Sequence, residues 1–426
     1  MSSSSSSGGT GAGRGRALVA GASMTVALAV AVALALGAGV GPVAAQEALR
    51  PDFGRPLQQA EDFVRKQRFR EALTKIKEAE GVGARNANER YLLERMRIAA
   101  ASGAGDADTA ARAFDAIVDS GRLTAAEKLQ MMESIAVGFY RAQQYAKSMQ
   151  WAQRYLREGG NNTAIRTMLV QSQYLSGDYA GASRELRAEI AAAERSNAVP
   201  PEDRLKLLLN AATKTGDDAT YVHAIEKLVA YYPRKEYWAD LLSRMQRQPG
   251  FSDRLSLDAY RLSLATGSMT APTDFMEMAQ LALQADLPAE GKQVVDKGFA
   301  VAALGSGEQA ERHHRLRDLV EKRLAEDKAG RAEAMRQAEA EKAGDALLVL
   351  GMNLVHAGQA AEGVKAMQKG LARGGLKRAE DAKLHLGIAQ YLAGDRAAAL
   401  ATFKTVQGAD GTADLARLWA LYVRRA

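Results

Sequence analysis

The chain has 426 residues and no cysteine, so a disulfide scaffold is excluded and packing alone must stabilise the fold. Its formal net charge of +7 is a mild excess at this length. A nucleic-acid footprint would need Lys and Arg clustered on one face, and we therefore expect no nucleic acid among its partners.

The N-terminal segment has the pattern of an export signal. No charged residue occurs between Ala17 and Gln46, residues 24–36 are apolar except for Thr25, and the small residues Val43 and Ala45 precede Gln46. This predicts a signal peptide over 1–45 that is cleaved after Ala45. The alternative is an uncleaved anchor helix, because the uncharged stretch reaches the ~20 residues of a membrane span. With cleavage, we expect a periplasmic or otherwise exported protein without a stable membrane span.

From residue 57 onward, a pattern of small and large apolar residues recurs. Its copies begin near residues 57, 134, 168, 207, 347 and 385, and looser ones lie between them. In the last copy, Gly387 and Ala399 stand twelve residues apart and Gly394-Asp395 lies between them. Glycine can end a helix in a left-handed conformation and aspartate can cap the next one. The pattern predicts two antiparallel helices that cross at Gly387 and Ala399.

This pattern resembles the tetratricopeptide repeat (TPR) family over nearly all of residues 57–407. The resemblance implies an all-α fold, a right-handed superhelix of stacked antiparallel helix pairs (a TPR solenoid), because one hairpin cannot bury its apolar face alone. The units at 91–120 and 234–267 depart from the pattern, and only one copy keeps the family's proline. Residues 413–425 are predicted to form a C-terminal capping helix.

The predicted organisation is a TPR array over 46–305 and a C-terminal TPR pair plus capping helix over 346–426. Between them, residues 306–345 are rich in helix formers and in charges of both signs. Two interpretations stay open for this segment. It is either a charged helical connector between two blocks or a degenerate repeat that stacks normally.

No catalytic signature is present in the sequence. There is no cysteine nucleophile, Gly-x-Ser-x-Gly elbow, phosphate-binding loop or His-Glu-x-x-His helix. His313 and His314 are adjacent, so on a helix they point about 100° apart and cannot ligate one metal ion together. We therefore expect a protein that is not an enzyme and that uses no cofactor or metal.

In TPR arrays the first helix of each pair lines a concave groove, and the resemblance assigns residues to that groove. Lys206, Asn210 and Lys214 form a stripe at helical spacing, although an ordinary solvated stripe is the alternative. Arrays that clamp a carboxylate carry Lys and Asn where Lys206 and Asn210 stand, but the next repeat offers acidic residues. The predicted partner-binding groove consists of Tyr140, Arg141, Gln171, Tyr174, Lys206, Asn210 and Lys214.

The corresponding positions of the C-terminal pair are apolar. They must either be covered by the charged helix or the capping helix, which we favour, or bind the apolar face of a partner. This alternative groove consists of Leu348, Met352, Val355, Leu384, Ile388 and Tyr391.

Binding is thus the function that the sequence favours: a protein-binding scaffold for other envelope proteins or peptides. Residues 123–160 and 228–245 further resemble exported TPR proteins of proteobacteria that are regarded as components of the TonB system. That resemblance implies a partner in the inner-membrane transducer or its TonB-dependent receptors. The alternative is an organising subunit of an envelope polysaccharide or peptidoglycan synthesis or export machinery, which an aromatic groove would favour.

Overall fold

The computed structural model describes residues 49–425, so the predicted signal peptide lies outside the described residues. Within that range the chain forms twenty α-helices and one short 3-10 turn, with no strand, as the sequence predicts. None of these helices is both long and apolar enough to cross a membrane. The contacts divide the chain into two compact units that meet in sequence at Gly160 and Asn161.

The first unit consists of three helical hairpins. Its core includes Phe53, Ile76 and Leu93, all of which are buried. Neighbouring hairpins are also joined by ion pairs between residues 39 positions apart, such as Lys147 with Asp108 at 2.6 Å. The helices are α1 (Pro51–Arg65), α2 (Phe69–Glu80), α3 (Ala87–Ala104), α4 (Ala107–Ile117), α5 (Ala125–Arg141) and α6 (Tyr145–Arg157).

The second unit contains the other fourteen helices, most of them in sequential pairs. They are α7 (Thr163–Ser176), α8 (Tyr179–Arg195), α9 (Glu202–Thr215), α10 (Asp218–Tyr231), α11 (Lys235–Gln246), α12 (Ser256–Ala265), α13 (Pro272–Gln284), α14 (Pro288–Ala300), α15 (Ala310–Ala340), α16 (Asp345–His356), α17 (Ala360–Arg373), α18 (Ala379–Leu392), α19 (Arg396–Phe403) and α20 (Thr412–Val423).

The turns within the hairpins follow the predicted Gly-Asp chemistry. At Gly394 the backbone has φ of +86°, and Asp395 then accepts a hydrogen bond from the Ala398 N–H at 2.9 Å. The same arrangement closes three other hairpins, at Gly105-Asp106, Gly177-Asp178 and Gly216-Asp217. The first of these lies in the 91–120 unit. That unit therefore has a regular turn, although the sequence pattern indicates a departure there.

Close backbone approach occurs where small residues face each other. In the α16–α17 hairpin, a Cβ added at Gly351 would lie 2.6 Å from the Gly363 carbonyl oxygen, so the two backbones cross at these glycines. In the α18–α19 hairpin, the nearest neighbour of Gly387 is the Phe403 ring, 2.5 Å from an added Cβ. The missing side chain of Gly387 thus makes room for an aromatic ring, while Ala399 is fully buried beside it.

The 234–267 unit departs from a simple hairpin. The segment between α11 and α12 turns towards the chain that precedes α20, where the Ser252 N–H donates to the Asp410 carbonyl at 2.9 Å. Arg254 binds Asp381 at 2.9 Å and Asp410 at 2.7 Å. These contacts fasten the middle of the second unit to its last helices.

A single 31-residue helix, α15, occupies most of the charged segment. Its first half buries His313, Leu316 and Val320 against α13 and α14, and Ala338 is buried near its other end. After it, α20 packs on α18 and α19, and the Trp419 ring stacks on Phe403 with centroids 6.3 Å apart. In each unit most helices pack with the next one in sequence as hairpins, which agrees with the predicted all-α architecture of helix pairs.

Candidate functional site

The predicted groove residues fall in both units, and the first unit holds Tyr140 and Arg141. Both lie in the last turn of α5. The Tyr140 ring meets Tyr145 edge-on with centroids 5.6 Å apart, and burial raises the pKa of its hydroxyl. Tyr140 therefore packs across the α5–α6 turn, whereas Arg141 is exposed.

A similar aromatic pair lies in the second unit. Tyr174 on α7 meets Tyr179 on α8 edge-on, with centroids 5.1 Å apart, and Gln171 on α7 is half-buried. Such edge-to-face pairs stabilise by about 0.5–1.5 kcal/mol beyond the burial of area. The ring of Tyr174 thus has a structural role in its own hairpin.

Lys206, Asn210 and Lys214 lie exposed along α9. Lys206 is already engaged, because its Nζ lies 2.8 Å from Glu202 and 5.9 Å from the centroid of the Tyr237 ring. The hydrogen bond that Lys206 donates to Glu202 raises the pKa of Lys206, with Tyr237 adding to the effect. In the described part of the chain, Lys214 has no ion-pair partner, so its charge is the one on this helix face that is left for a ligand.

The helices α7 and α9 are neighbours. Arg204 on α9 donates a hydrogen bond to the Thr167 hydroxyl on α7 at 2.9 Å. Thr167, Gln171 and Tyr174 follow one side of α7 at helical spacing. The polar sides of these two helices form the candidate site in the second unit, which we call the α7–α9 face: Gln171, Tyr174, Lys206, Asn210 and Lys214.

The alternative apolar groove is not an open surface in the structure. Leu348, Met352 and Val355 are buried in a core shared with residues of α13, α14 and α15. Leu384 and Ile388 are at most 1% exposed, in a core shared with α11, α12 and α20. Tyr391 is half-buried against Trp419 and Tyr422. The six side chains are covered within the chain.

The second unit also contains a buried ion cluster for which the sequence gives no indication. Arg261 on α12 makes two hydrogen bonds to Glu290 on α14, at 2.7 and 2.6 Å, and a third to Asp258 at 2.7 Å. These three side chains are at most 4% exposed. Two histidines complete the cluster, since His385 Nε2 lies 2.9 Å from Asp258 and His356 Nε2 lies 3.7 Å from Glu290.

The electrostatics of this cluster favour the charged carboxylates. Burial alone would raise the pKa of Asp258, but the facing His385 and Arg261 outweigh it and hold that pKa at about 2. Burial likewise opposes ionisation of Glu290, and Arg261 lowers its pKa below the ordinary value. For His356, burial is the largest effect and lowers the pKa.

The Arg261, Asp258 and Glu290 side chains are enclosed, although His385 is 32% exposed, and we assign the cluster a structural role. It joins α12, α14, α16 and α18, and a buried bidentate Arg–carboxylate pair fixes geometry strongly. His356 Nδ1 lies 2.8 Å from the Gln293 side-chain oxygen, which orients the imidazole. Among residues 49–425 no three His, Asp or Glu side chains are placed to hold a metal ion.

No protein-family model matches this chain, and no curated protein matches it. Solved structures are similar at low identity. Yeast Tom70 shares 12% identity with a TM-score of 0.23 over 87% of this chain and 95% of that one. Naa15, in a structure of Naa15/Naa10 bound to HypK-THB, shares 13% with a TM-score of 0.26 over 83% and 62%. The APC/C hetero-tetramer Cut9-Hcn1 shares 10% with a TM-score of 0.19 over 88% and 92%.

Proposed function

We propose that this protein is a scaffold that binds a segment of another protein along the α7–α9 face and that it has no catalytic activity of its own. The observation that carries the proposal is the exposed pair Asn210 and Lys214, one turn apart on α9. Neighbouring Lys206 is held by Glu202 and Tyr237, so its charge is already engaged and Lys214 is the cation that remains for a ligand.

The chemistry of this face favours a segment that carries carboxylates. Lys214 supplies an ammonium group, and the Asn210 amide supplies both a donor and an acceptor that can bind a peptide backbone. Lys-to-carboxylate contacts at an exposed position are individually weak and are screened by salt. Binding should therefore weaken from low to physiological ionic strength.

The predicted signal peptide supports export to the periplasm, and we propose that the partner is another envelope protein. Within that compartment, the resemblance to proteins of the TonB system makes the inner-membrane transducer and its receptors the first candidates to test. The alternative role in polysaccharide or peptidoglycan assembly has less support. The rings of Tyr140 and Tyr174, which could stack on sugars, pack against Tyr145 and Tyr179 instead.

The proposal is tested by affinity purification from envelope extracts followed by mass spectrometry. The test variant is Asn210→Ala with Lys214→Glu, which leaves the Lys206–Glu202 pair intact. Its matched control is Gln368→Ala with Lys365→Glu, two exposed residues on one face of α17. We expect at least one protein that wild type and control retain and that the test variant loses. If all three retain the same proteins, the α7–α9 face is not the binding site.

The predicted export has its own test. N-terminal sequencing of protein from the periplasmic fraction should begin at Gln46. Recovery of the intact chain from the membrane fraction would favour the anchor helix instead.

A further inference from the structure

A second charged surface lies in the second unit, on α10 and around α20. A shallow depression there is bordered by residues of α10, by the segment that follows α19, and by α20. Its floor is apolar and its rim is basic. We call it the α10–α20 depression: Lys227, Ala230, Lys404, Val406, Arg417, Leu421 and Arg424.

The floor gives the depression its capacity to hold an apolar group. Ala230 and Leu421 are half-buried and Val406 is buried; Val406 belongs to the core around α20, and Leu421 packs against that core. Burying apolar surface stabilises by roughly 25 cal/mol per Å². A single apolar side chain on the floor would therefore contribute, but a large apolar ligand would find too little area.

Two of the rim cations are already neutralised by carboxylates. Lys227 binds Glu194 at 2.5 Å, and Arg417 binds Glu226 at 2.7 Å and Asp414 at 3.0 Å. Within this part of the rim, two cations therefore face three carboxylates, a net charge of 2 − 3 = −1.

The other rim cations reverse this balance. Lys404 and Arg424 are exposed, and within the described part of the chain neither has an ion-pair partner. Arg425, next along the chain, lies over the Tyr231 ring at 6.0 Å. Counting only Lys404 and Arg424, which line the depression, the local charge becomes −1 + 2 = +1.

His223 lies one turn before Lys227 on the same side of α10. Desolvation is the largest effect and lowers the pKa of His223; Lys227 and Arg187 lower it further, whereas Glu194 and Glu226 raise it.

We propose that the α10–α20 depression binds an acidic peptide segment of a partner protein, with one apolar side chain on the floor and flanking carboxylates on Lys404 and Arg424. Charge complementarity selects this occupant, because two exposed cations without an ion-pair partner in the described part of the chain line the same depression as the apolar Val406 and Leu421. The site is independent of the α7–α9 face, since the two share no residue.

The probe is a fluorescein-labelled peptide with a central Leu flanked by Glu, and its binding to the full chain is measured by fluorescence polarisation. A peptide with Lys in place of each Glu serves as the charge control. We expect the acidic peptide to bind the more tightly of the two. The Lys404→Glu, Arg424→Glu variant should lose roughly tenfold in affinity for it, as expected for two partly exposed charge contacts.

A matched control variant, Lys297→Glu with Lys365→Glu, changes the net charge equally at exposed lysines of α14 and α17. It should bind the acidic peptide as the wild type does, and circular dichroism should show equal helical content in all three proteins. Equal loss in both variants would mean that net charge alone drives binding and would overturn the proposal. Unchanged binding by the Lys404→Glu, Arg424→Glu variant would overturn it as well.

Two further measurements test whether a membrane or a second copy of the chain, and not a peptide, occupies the α10–α20 depression. If the wild type, but not the Lys404→Glu, Arg424→Glu variant, binds phosphatidylglycerol vesicles while neither binds the peptide, the surface faces an anionic membrane and the proposal is wrong. A concentration-dependent dimer in sedimentation, lost in this variant, would assign the depression to a second copy of the chain and would equally contradict it.

Discussion

Two groups of charged side chains lie in the second unit, one buried around Arg261 and one exposed along α9. In both, a cation meets carboxylates at 2.6–2.8 Å. They differ in exposure: Arg261 is 4% exposed, whereas Lys206 is 46% exposed. Removing the cation from these two ion pairs should therefore change the free energy of unfolding by different amounts. A buried carboxylate left alone has lost its hydration, whereas an exposed one has not.

The largest expected effect is the removal of the buried cation. Arg261→Met leaves Asp258 and Glu290 buried without their partner, which should destabilise the fold by about 3–5 kcal/mol. The exposed counterpart, Lys206→Met, should cost less than about 1 kcal/mol because water replaces the lost contact with Glu202. Urea denaturation followed by circular dichroism measures both. Equal losses would show that burial does not distinguish the two groups.

The pH dependence of stability sharpens the same contrast. A carboxyl whose pKa is lowered in the folded state stabilises the fold above its ordinary pKa, and that stabilisation is lost as the pH falls towards the folded value. For Asp258 this window extends from 3.8 down to about 2. Because the fold lowers the pKa of His356 from 6.5, the unfolded chain binds its proton first, and stability should already fall below pH 6.5.

The variant His356→Gln isolates the contribution of the histidine. Its free energy of unfolding should fall less than that of the wild type as the pH is lowered from 6.5 towards about 5. Lys206→Met is the exposed control and should follow the wild-type curve in this range. Identical curves for His356→Gln and wild type would show that His356 does not titrate as proposed.

A buried and an exposed glycine allow the same comparison of buried and exposed positions for side-chain volume instead of charge. In Gly363→Ala the new methyl group would meet the Gly351 carbonyl oxygen and the Val355 backbone, which have no room to move. Overpacking of this kind should cost about 1–3 kcal/mol. Thermal unfolding followed by circular dichroism would measure it. A variant as stable as the wild type would contradict the close crossing of α16 and α17.

The smallest expected effect is a gain in stability. Gly330 lies within α15, and a Cβ added there would meet no atom within 4 Å. Because alanine favours the helix over glycine, Gly330→Ala should stabilise by about 0.5–1 kcal/mol, detectable in the same thermal unfolding experiment. A loss of stability would indicate that α15 is not helical at this position in solution.

The local features of the fold could be predicted from the sequence because neighbouring residues determine them. The Gly394-Asp395 turn needs only a glycine at positive φ and an aspartate that caps the next helix. The ion pair between Lys206 and Glu202 is equally local, since the two residues stand four apart on one helix, although the repeat pattern does not mark it.

The buried ion cluster could not be predicted, because it depends on tertiary packing. Asp258 and Arg261 on α12 look like any exposed pair three residues apart, and their partners Glu290, His356 and His385 follow 29 to 127 residues later. Only the meeting of four helices buries them. The burial of Leu384 and Ile388 also depends on tertiary packing. Their apolar character predicts that other helices cover them, but the sequence does not show that α11 and α12 are among those helices.

Photo-crosslinking in cells tests most directly the claim that partners bind the α7–α9 face. A benzophenone amino acid would replace Asn210 on α9 in one protein and the exposed Lys365 on α17 in another. We predict a discrete crosslinked partner from position 210 and none from position 365. No crosslink from position 210, or the same products from both positions, would contradict the account.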